Sequence, residues 1–396
     1  MVNSAMSKER FSILLKFLFG TFLVLKIHRG FYVDNAAQGG LWNLIQIFFV
    51  FVGLYCLFTP LKNRIQESSI FYFAMFSLYT WIASFFVFML NGDFSATKIF
   101  YFLMRPYGFC IFLSFLYCAS YTKLTDNRYA MIALFVGISA MVIYAMIIYR
   151  WKLAYDDKGS IADVYYVLGL LPFILAISVK RMKIVLYAIA FFAIMMTGKR
   201  AGFICISVLF ILNFIVSSKK ELKVTQILFA CFILFLFFYL QDAIISYFSV
   251  DMFSRLDKLN QDGGSGRAVR WEIIANTLAY GSDPLQFLFG HGSGATVEFI
   301  HHAHNDFLEI FYDYGLVAFI LYVLFYISLI KDAVIMKIKG YPYFREFASV
   351  IVVMLFLAMF SFFAIDCMYI TCTSFCLAFF YADWLKYQRK YINEVV

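Results

Sequence analysis

One polar stretch in the last third of the chain, residues 287–318, carries the residue types that could do chemistry. It holds four of the five histidines, three of them within the short run 301–304. A fourth histidine lies among alternating glycines at residues 290–294. Because an unperturbed imidazole has a pKa of about 6.5, a histidine here could accept a proton near neutral pH. The clustered histidines could instead bind a metal ion, but the sequence lacks the second ligand cluster of a closed zinc site.

The composition places this polar stretch in a membrane protein. Hydrophobic residues make up 63% of the 396 residues, aromatic residues 21% and charged residues only 14%. The mean hydropathy is +0.81. These values exclude a water-soluble globular protein of this length, so we expect an all-α polytopic membrane protein.

Apolar runs that could cross the membrane recur along almost the whole chain. A hydrocarbon core of about 30 Å needs about 20 helical residues, and the runs approach this length. The predicted helices lie near residues 11–27, 41–59, 68–90, 98–120, 129–149, 163–179, 182–197, 201–217, 222–240, 304–330, 345–366 and 368–384. We therefore expect about twelve transmembrane helices. Nine lie in residues 1–240, and three lie in residues 304–396 together with a cytoplasmic C-terminus.

The distribution of lysine and arginine predicts the orientation. Short loops rich in these residues stay in the cytoplasm. With the N-terminus inside, about nineteen basic residues fall on the cytoplasmic side and about thirteen on the other. Both termini then lie in the cytoplasm, and residues 241–303 form a large loop on the outer side of the membrane. This topology explains the net charge of +9 better than a nucleic-acid partner does.

The long loop and the helix after it should bring the histidines to the membrane surface. Residues 268–278 interleave apolar and polar side chains, which predicts an amphipathic helix lying in the interface. The run 304–330 has about 27 residues, or roughly 40 Å of helix, which exceeds the core of about 30 Å. We expect the excess at the outer end, where His304 would lie level with the lipid headgroups.

Neither the cysteines nor the acids indicate a metal or a cofactor. Most of the eight cysteines lie in apolar runs, and none forms a C-x-x-C pair, so we expect packing residues. The acids of residues 257–266 do not follow the alternating pattern of an EF-hand, and no D-x-D triplet is present. The sequence therefore predicts a site without metal or cofactor.

The chain resembles the O-antigen polymerases and O-antigen ligases, which use glycans linked to undecaprenyl diphosphate. The resemblance is carried by His304-Asn305, nine intervening residues, Gly315, two more residues and Ala318. Further matches are Ser265-Gly266-Arg267 before Trp271, Pro284-Leu285 before Gly290-His291-Gly292, and Gly198-Lys199-Arg200. The chain departs from the family pattern at Ala318, where Gly, Thr or Tyr is more common, but a small residue is kept.

The resemblance implies a GT-C-like architecture and a glycosyltransferase of the bacterial inner membrane with its site facing the periplasm. Arginine suits the diphosphate, because its planar fork donates two hydrogen bonds and stays charged near lipid. His304 is the expected general base. The candidate diphosphate ligands are Arg200, Arg267, Arg270 and Lys199.

Further polar residues have a binding interpretation and a structural one. Arg105, inside an apolar run, could hold the diphosphate or pair with an acid such as Asp366. Asn305 could contact substrate or cap a helix. Asp306 shares a helix face with Glu309 and Asp313, where the acids could bind sugar hydroxyls or form a solvated helix end.

Within this enzyme class, the run 304–309 looks slightly more like polymerases, which join repeat units. A ligase would move the finished glycan to lipid A-core. A lipid-glycan flippase or transporter is less favoured, because its charges would lie near the bilayer midplane and its sequence would show repeat symmetry. The implied partners are the lipid-linked donor, a glycan or lipid A-core acceptor, membrane lipids and a candidate chain-length regulator. Inversion at the anomeric carbon is expected.

Overall fold

The structure is a computed structural model built from α-helices. It describes residues 2–29, 36–58, 68–91, 99, 102–121, 128–152, 164–197, 199–215, 266–281, 283–300, 302–361 and 370–395. The helices of this part are α1 (Val2–Arg29), α2 (Ala36–Leu57), α3 (Ser68–Asn91), α4 (Tyr107–Ala119), α5 (Arg128–Lys152), α6 (Val164–Leu175), α7 (Lys180–Thr197), α8 (Arg200–Phe210), α9 (Arg267–Asn276), α10 (Pro284–Phe289), α11 (Ala295–Ile300), α12 (Asp306–Ile338), α13 (Phe344–Phe360) and α14 (Ile370–Val395). The expected all-α polytopic membrane fold is confirmed.

The described helices lie close to the positions that hydropathy predicts. The short separators are real boundaries, since α7 ends at Thr197 and α8 begins at Arg200. The expected amphipathic helix is α9, continued by the π-helical turn Thr277–Gly281. The helix predicted over residues 222–240 lies outside the described residues.

Three helical stretches among the described residues are long and apolar enough to cross a membrane. They are Ser69–Phe86, Phe102–Ala119 and Asp306–Ile338. Shorter apolar helices in the same part of the chain cover Asn43–Cys56, Tyr129–Tyr144, Val164–Leu175 and Ala201–Asn213. The full number of about twelve spans stays a prediction.

Three helices form the interior of the bundle. Nearly every side chain of α4 and α6 is buried, and so are those of α14 from Ile370 to Ala382, as expected of helices that are apolar on all faces. Close packing depends on glycine: a Cβ at Gly53 would overlap Cys110 of α4, and one at Gly108 would overlap Ile370 of α14. Small residues allow this backbone approach in membrane proteins.

The helix α12 connects this bundle to the polar stretch. It packs along α3 and α13, while α9, α10 and α11 contact it near its N-terminus. The sequence predicted an uninterrupted helix over residues 304–330, which was wrong in one respect. The helix runs from Asp306 to Ile338 but is broken at Gly315, where φ is 75° and ψ is −176°. This left-handed φ is accessible to glycine at little cost.

Candidate active site

The candidate site is built around residues 302–304, which we call the histidine segment. Helix α9 holds this segment with two side chains. Arg270 Nη1 donates to the carbonyl of His302 at 3.0 Å, and Trp271 Nε1 donates to the carbonyl of Ala303 at 2.7 Å. Because Ala303 is fully buried, its carbonyl requires such a donor. The amphipathic helix and the histidine segment therefore form one unit.

His304 adopts a backbone conformation that is uncommon for a residue with a side chain. Its φ is 55°, the only positive φ outside glycine in the described part of the chain. Its N–H donates to Glu309 Oε1 at 2.9 Å. The next residue, Asn305, is the N-cap of α12 and accepts from the N–H of Leu308 at 3.3 Å. Backbone contacts on both sides therefore set the direction of the His304 side chain.

Burial and positive charge both act on the His304 imidazole. Burial is the main reason that its pKa falls from 6.5 to about 3. Smaller contributions come from nearby groups, in decreasing order Arg267, His302, Arg270 and Lys199. An imidazole with this pKa is neutral at physiological pH. The fold therefore brings predicted cationic residues from two distant parts of the chain to the predicted base.

Tyr165 is a residue of this site that sequence reasoning missed. It lies in the first turn of α6 and is buried. The ammonium group of Lys199 lies 6.0 Å from the centre of its ring, at the limit of a cation–π contact. Arg267 also interacts electrostatically with its hydroxyl. No local pattern distinguishes this tyrosine among the 28 in the sequence, and only the packing of α6 reveals it.

The remaining predicted diphosphate ligand is Arg200. It is the first residue of α8 and directly follows Lys199. Its side chain lies outside the described part of the chain, as do Gly198, Ser265 and His301. A phosphate contact by Arg200 stays a prediction.

Arg105 contacts the glycine-rich loop, residues 290–294. Its Nη2 donates to Ser293 Oγ at 2.8 Å, and its guanidinium carbon lies 5.6 Å from the centre of the Tyr314 ring. Ser293 Oγ is also 2.9 Å from the Tyr314 hydroxyl. The suggested partner Asp366 lies outside the described residues. Arg105 therefore connects α12 to the loop, and a role in binding the diphosphate stays a prediction.

The three acids of α12 point into the protein. Asp306, Glu309 and Asp313 are at most 1% exposed, so the interpretation of a solvated helix end was wrong. Asp306 Oδ2 accepts a hydrogen bond from the Tyr322 hydroxyl at 3.1 Å. Asp313 accepts from the N–H groups of Gly294 at 3.0 Å and of Thr296 at 2.8 Å, which closes the loop onto the helix. A sugar contact by Asp306 stays a prediction, and the burial of its carboxylate argues for a structural role.

The break at Gly315 allows the glycine-rich loop to bond to the backbone of α12. Non-helical geometry at this residue leaves the carbonyls of Tyr312 and Asp313 available to other donors. They accept from the N–H groups of His291 at 2.9 Å and Gly292 at 3.0 Å. A Cβ on Gly315 would overlap the Leu288 carbonyl, so α10 and α12 meet backbone to backbone.

Comparison with known proteins identifies this region. Residues 184–323, from within α7 to within α12, match the family model described as O-antigen ligase. The matched region includes Lys199, Arg267 and His304. No curated protein matches the chain. Over residues 184–323 the chain is therefore similar to the O-antigen ligase family, whose members are glycosyltransferase-like enzymes, and its resemblance to the O-antigen polymerases and ligases is confirmed.

Proposed function

We propose that this protein polymerises undecaprenyl-diphosphate-linked oligosaccharide repeat units at the periplasmic face of the bacterial inner membrane. The observation that carries the proposal is the position of the His304 imidazole, which is partly buried and lies near Arg267 and Lys199. The reaction needs a base for an incoming hydroxyl and cations for a departing diphosphate. The site contains both kinds of group within one cluster.

In the proposed reaction, a hydroxyl of the acceptor sugar attacks the anomeric carbon of the donor glycan. The bond between this carbon and the phosphate oxygen breaks, and its electron pair leaves with undecaprenyl diphosphate. The proton of the hydroxyl passes to His304. Attack opposite the leaving group would invert the anomeric carbon.

The cations would stabilise the charge that grows on the leaving group. Arg267 can donate two parallel hydrogen bonds to phosphate oxygens, while Lys199 and Arg200 would add further positive charge. Such charge-assisted bonds contribute roughly 1.5–3 kcal/mol each. With side chains supplying this charge, we propose a reaction that needs no metal ion.

Substrate binding would also adjust the base. In the free protein, burial and the neighbouring cations keep His304 from taking up a proton. A bound diphosphate brings negative charge next to the same cations, which raises the proton affinity of the imidazole. His304 would thus become a better base only when a donor is present.

O-antigen ligation is the second candidate function. It is favoured by the description of the matching family, O-antigen ligase, whereas the run 304–309 resembles polymerases. Purified protein given only undecaprenyl-diphosphate repeat units should produce a ladder of lengthening products. Product that forms only after lipid A-core is added would contradict polymerisation and support ligation. No product with either acceptor would contradict both.

Two substitutions test the site in the same assay. His304→Ala removes the base and should lower turnover by about 10²-fold or more. Arg267→Ala should lower it by about tenfold or more, the equivalent of one charge-assisted hydrogen bond. Lys337→Ala, at an exposed site near the other end of α12, is the matched control and should keep full activity. Unchanged turnover in a folded His304 or Arg267 variant would remove that residue from the mechanism.

A further inference from the structure

The carboxylate of Glu309 contacts both described histidines of the histidine segment. Its Oε1 accepts the N–H of His304 at 2.9 Å. Its Oε2 lies 3.6 Å from Nδ1 of His302. Glu309 itself is fully buried, whereas the His302 side chain is 35% exposed. One buried acid therefore contacts the two residues on either side of Ala303.

Helix capping alone does not explain this arrangement. Acidic residues in a first turn do stabilise a helix N-terminus, but an exposed position serves this purpose. The helix already has a capping side chain, since Asn305 accepts from the N–H of Leu308. Glu309 instead reaches past the cap to His304, which lies outside the helix. Because burying a carboxylate is costly unless it is well paired, this position calls for a second role.

The backbone of His304 indicates what the second role of Glu309 is. Left-handed φ is unfavourable for a residue with a Cβ and persists only where surrounding contacts enforce it. The bond from Glu309 acts directly on the N–H of the strained residue. Arg270 and Trp271 hold the two preceding carbonyls. Glu309 is thus the one contact among these that acts on His304 itself.

We propose that Glu309 is a positioning residue, which holds His304 in its left-handed conformation and so directs the imidazole towards Arg267 and Lys199. The proposal rests on the proposed function, because it assumes that His304 acts as the base. This role differs from an effect of the Glu309 charge on the imidazole, because it depends on the hydrogen bond between Glu309 and the His304 N–H.

Two conservative substitutions of Glu309 distinguish the effect of the side chain's reach from the effect of its charge. Glu309→Gln keeps an oxygen within reach of the His304 N–H and removes the charge. Glu309→Asp keeps the charge but withdraws it by one carbon–carbon bond, about 1.5 Å. Because a misplacement of about 1 Å can cost up to 10²-fold in rate, we expect kcat to fall about tenfold or more in Glu309→Asp. In Glu309→Gln it should stay within about threefold of the wild type, and KM for the donor should change little in both.

The opposite order would overturn the proposal. A Glu309→Asp protein with wild-type kcat would show that the reach of the side chain does not matter. A Glu309→Gln protein that loses as much as Glu309→Asp would show that the charge is needed, which the positioning role does not require. The matched control is Asp332→Asn, which alters another buried carboxylate of α12, bonded to Ser69 and Tyr381. It should leave kcat and KM unchanged. If kcat fell as far in Asp332→Asn as in Glu309→Asp, the loss would reflect disturbance of α12 as a whole and not the position of His304.

A second measurement does not need turnover. The imidazole ¹⁵N resonances of His304, assigned by comparison with His304→Ala, report the surroundings of the ring in the full-length protein. They should shift in Glu309→Asp and stay near the wild-type positions in Glu309→Gln. Unshifted resonances in Glu309→Asp would overturn the positioning role. Wild-type protein that makes no product would contradict the proposed function alone, since these resonances still decide the role of Glu309.

Discussion

At the scale of single residues, the site depends on the surroundings of one imidazole. His304 is partly buried, and Arg267 is the strongest of the charged neighbours that oppose its protonation. A histidine whose pKa is lowered on folding disfavours the folded state in acid. The unfolded chain binds a proton below about pH 6.5, whereas the folded protein does not until about pH 3. His304 therefore costs the folded state no stability well above pH 6.5, and this cost grows as the pH falls towards 3.

We expect the His304 imidazole to stay neutral well below pH 6.5. In the free protein, ¹⁵N NMR of the imidazole should show the neutral form from pH 8 down to pH 5, because the pKa lies near 3. Adding undecaprenyl diphosphate should raise the pKa, since a bound anion offsets the neighbouring cations. A midpoint between pH 6 and 7 in the free protein would contradict the burial and charge that the structure assigns to this residue.

At the scale of elements, the site depends on the break in α12. The glycine-rich loop uses the carbonyls of Tyr312 and Asp313, and these are available because the helix is interrupted at Gly315. Gly290 and Gly315 thus allow the backbone of α12 to touch the backbone of residues 288–290. The same contact fixes where the loop lies beside α12.

Substitution of the glycines tests the break. Gly315→Ala combines a left-handed φ with an overlap against the Leu288 carbonyl, so we expect a loss of about 2–5 kcal/mol in unfolding free energy. Gly294→Ala has a φ of 81° but open space around the Cβ, and should lose only about 1–2 kcal/mol. Gly137→Ala, in α5 with no close neighbour, should be neutral or stabilising. Thermal unfolding in detergent would measure all three, and equal losses at Gly315 and Gly294 would argue against the contact.

At the scale of the whole molecule, the bundle ties the two ends of α12 to different partners. Near its C-terminus, Asp332 accepts hydrogen bonds from Ser69 of α3, at 2.6 Å, and from Tyr381 of α14. Near its N-terminus, the same helix carries the histidine segment and contacts α9 and α10. A helix anchored in this way can hold a rigid site at its N-terminal end.

The proposed orientation can be tested with exposed positions at the two ends. Glu298→Cys should react with a membrane-impermeant maleimide in intact spheroplasts, because we expect its loop in the periplasm. Lys337→Cys should react only after the membrane is permeabilised. The six native cysteines that the structure describes are all buried, so their background should be low. The reverse labelling pattern would contradict the topology.

The sequence by itself determined the class of protein, the positions of its helices and the motif that contains His304. Hydropathy is a local property, and a chain within lipid must satisfy its backbone hydrogen bonds inside each helix, so apolar runs predict spans directly. The family resemblance also identified Arg267 and Lys199 as candidate ligands of an anion.

Only the tertiary structure decided which of these residues meet. Tyr165 joins the site through helix packing, Arg270 donates to a carbonyl of the histidine segment, and Glu309 turns inwards to hold His304. Each of these contacts joins segments whose approach depends on side-chain volume and backbone geometry across the bundle. The break at Gly315 likewise depends on the loop that packs against it, because a glycine within a helix is compatible with a straight helix as well as a broken one.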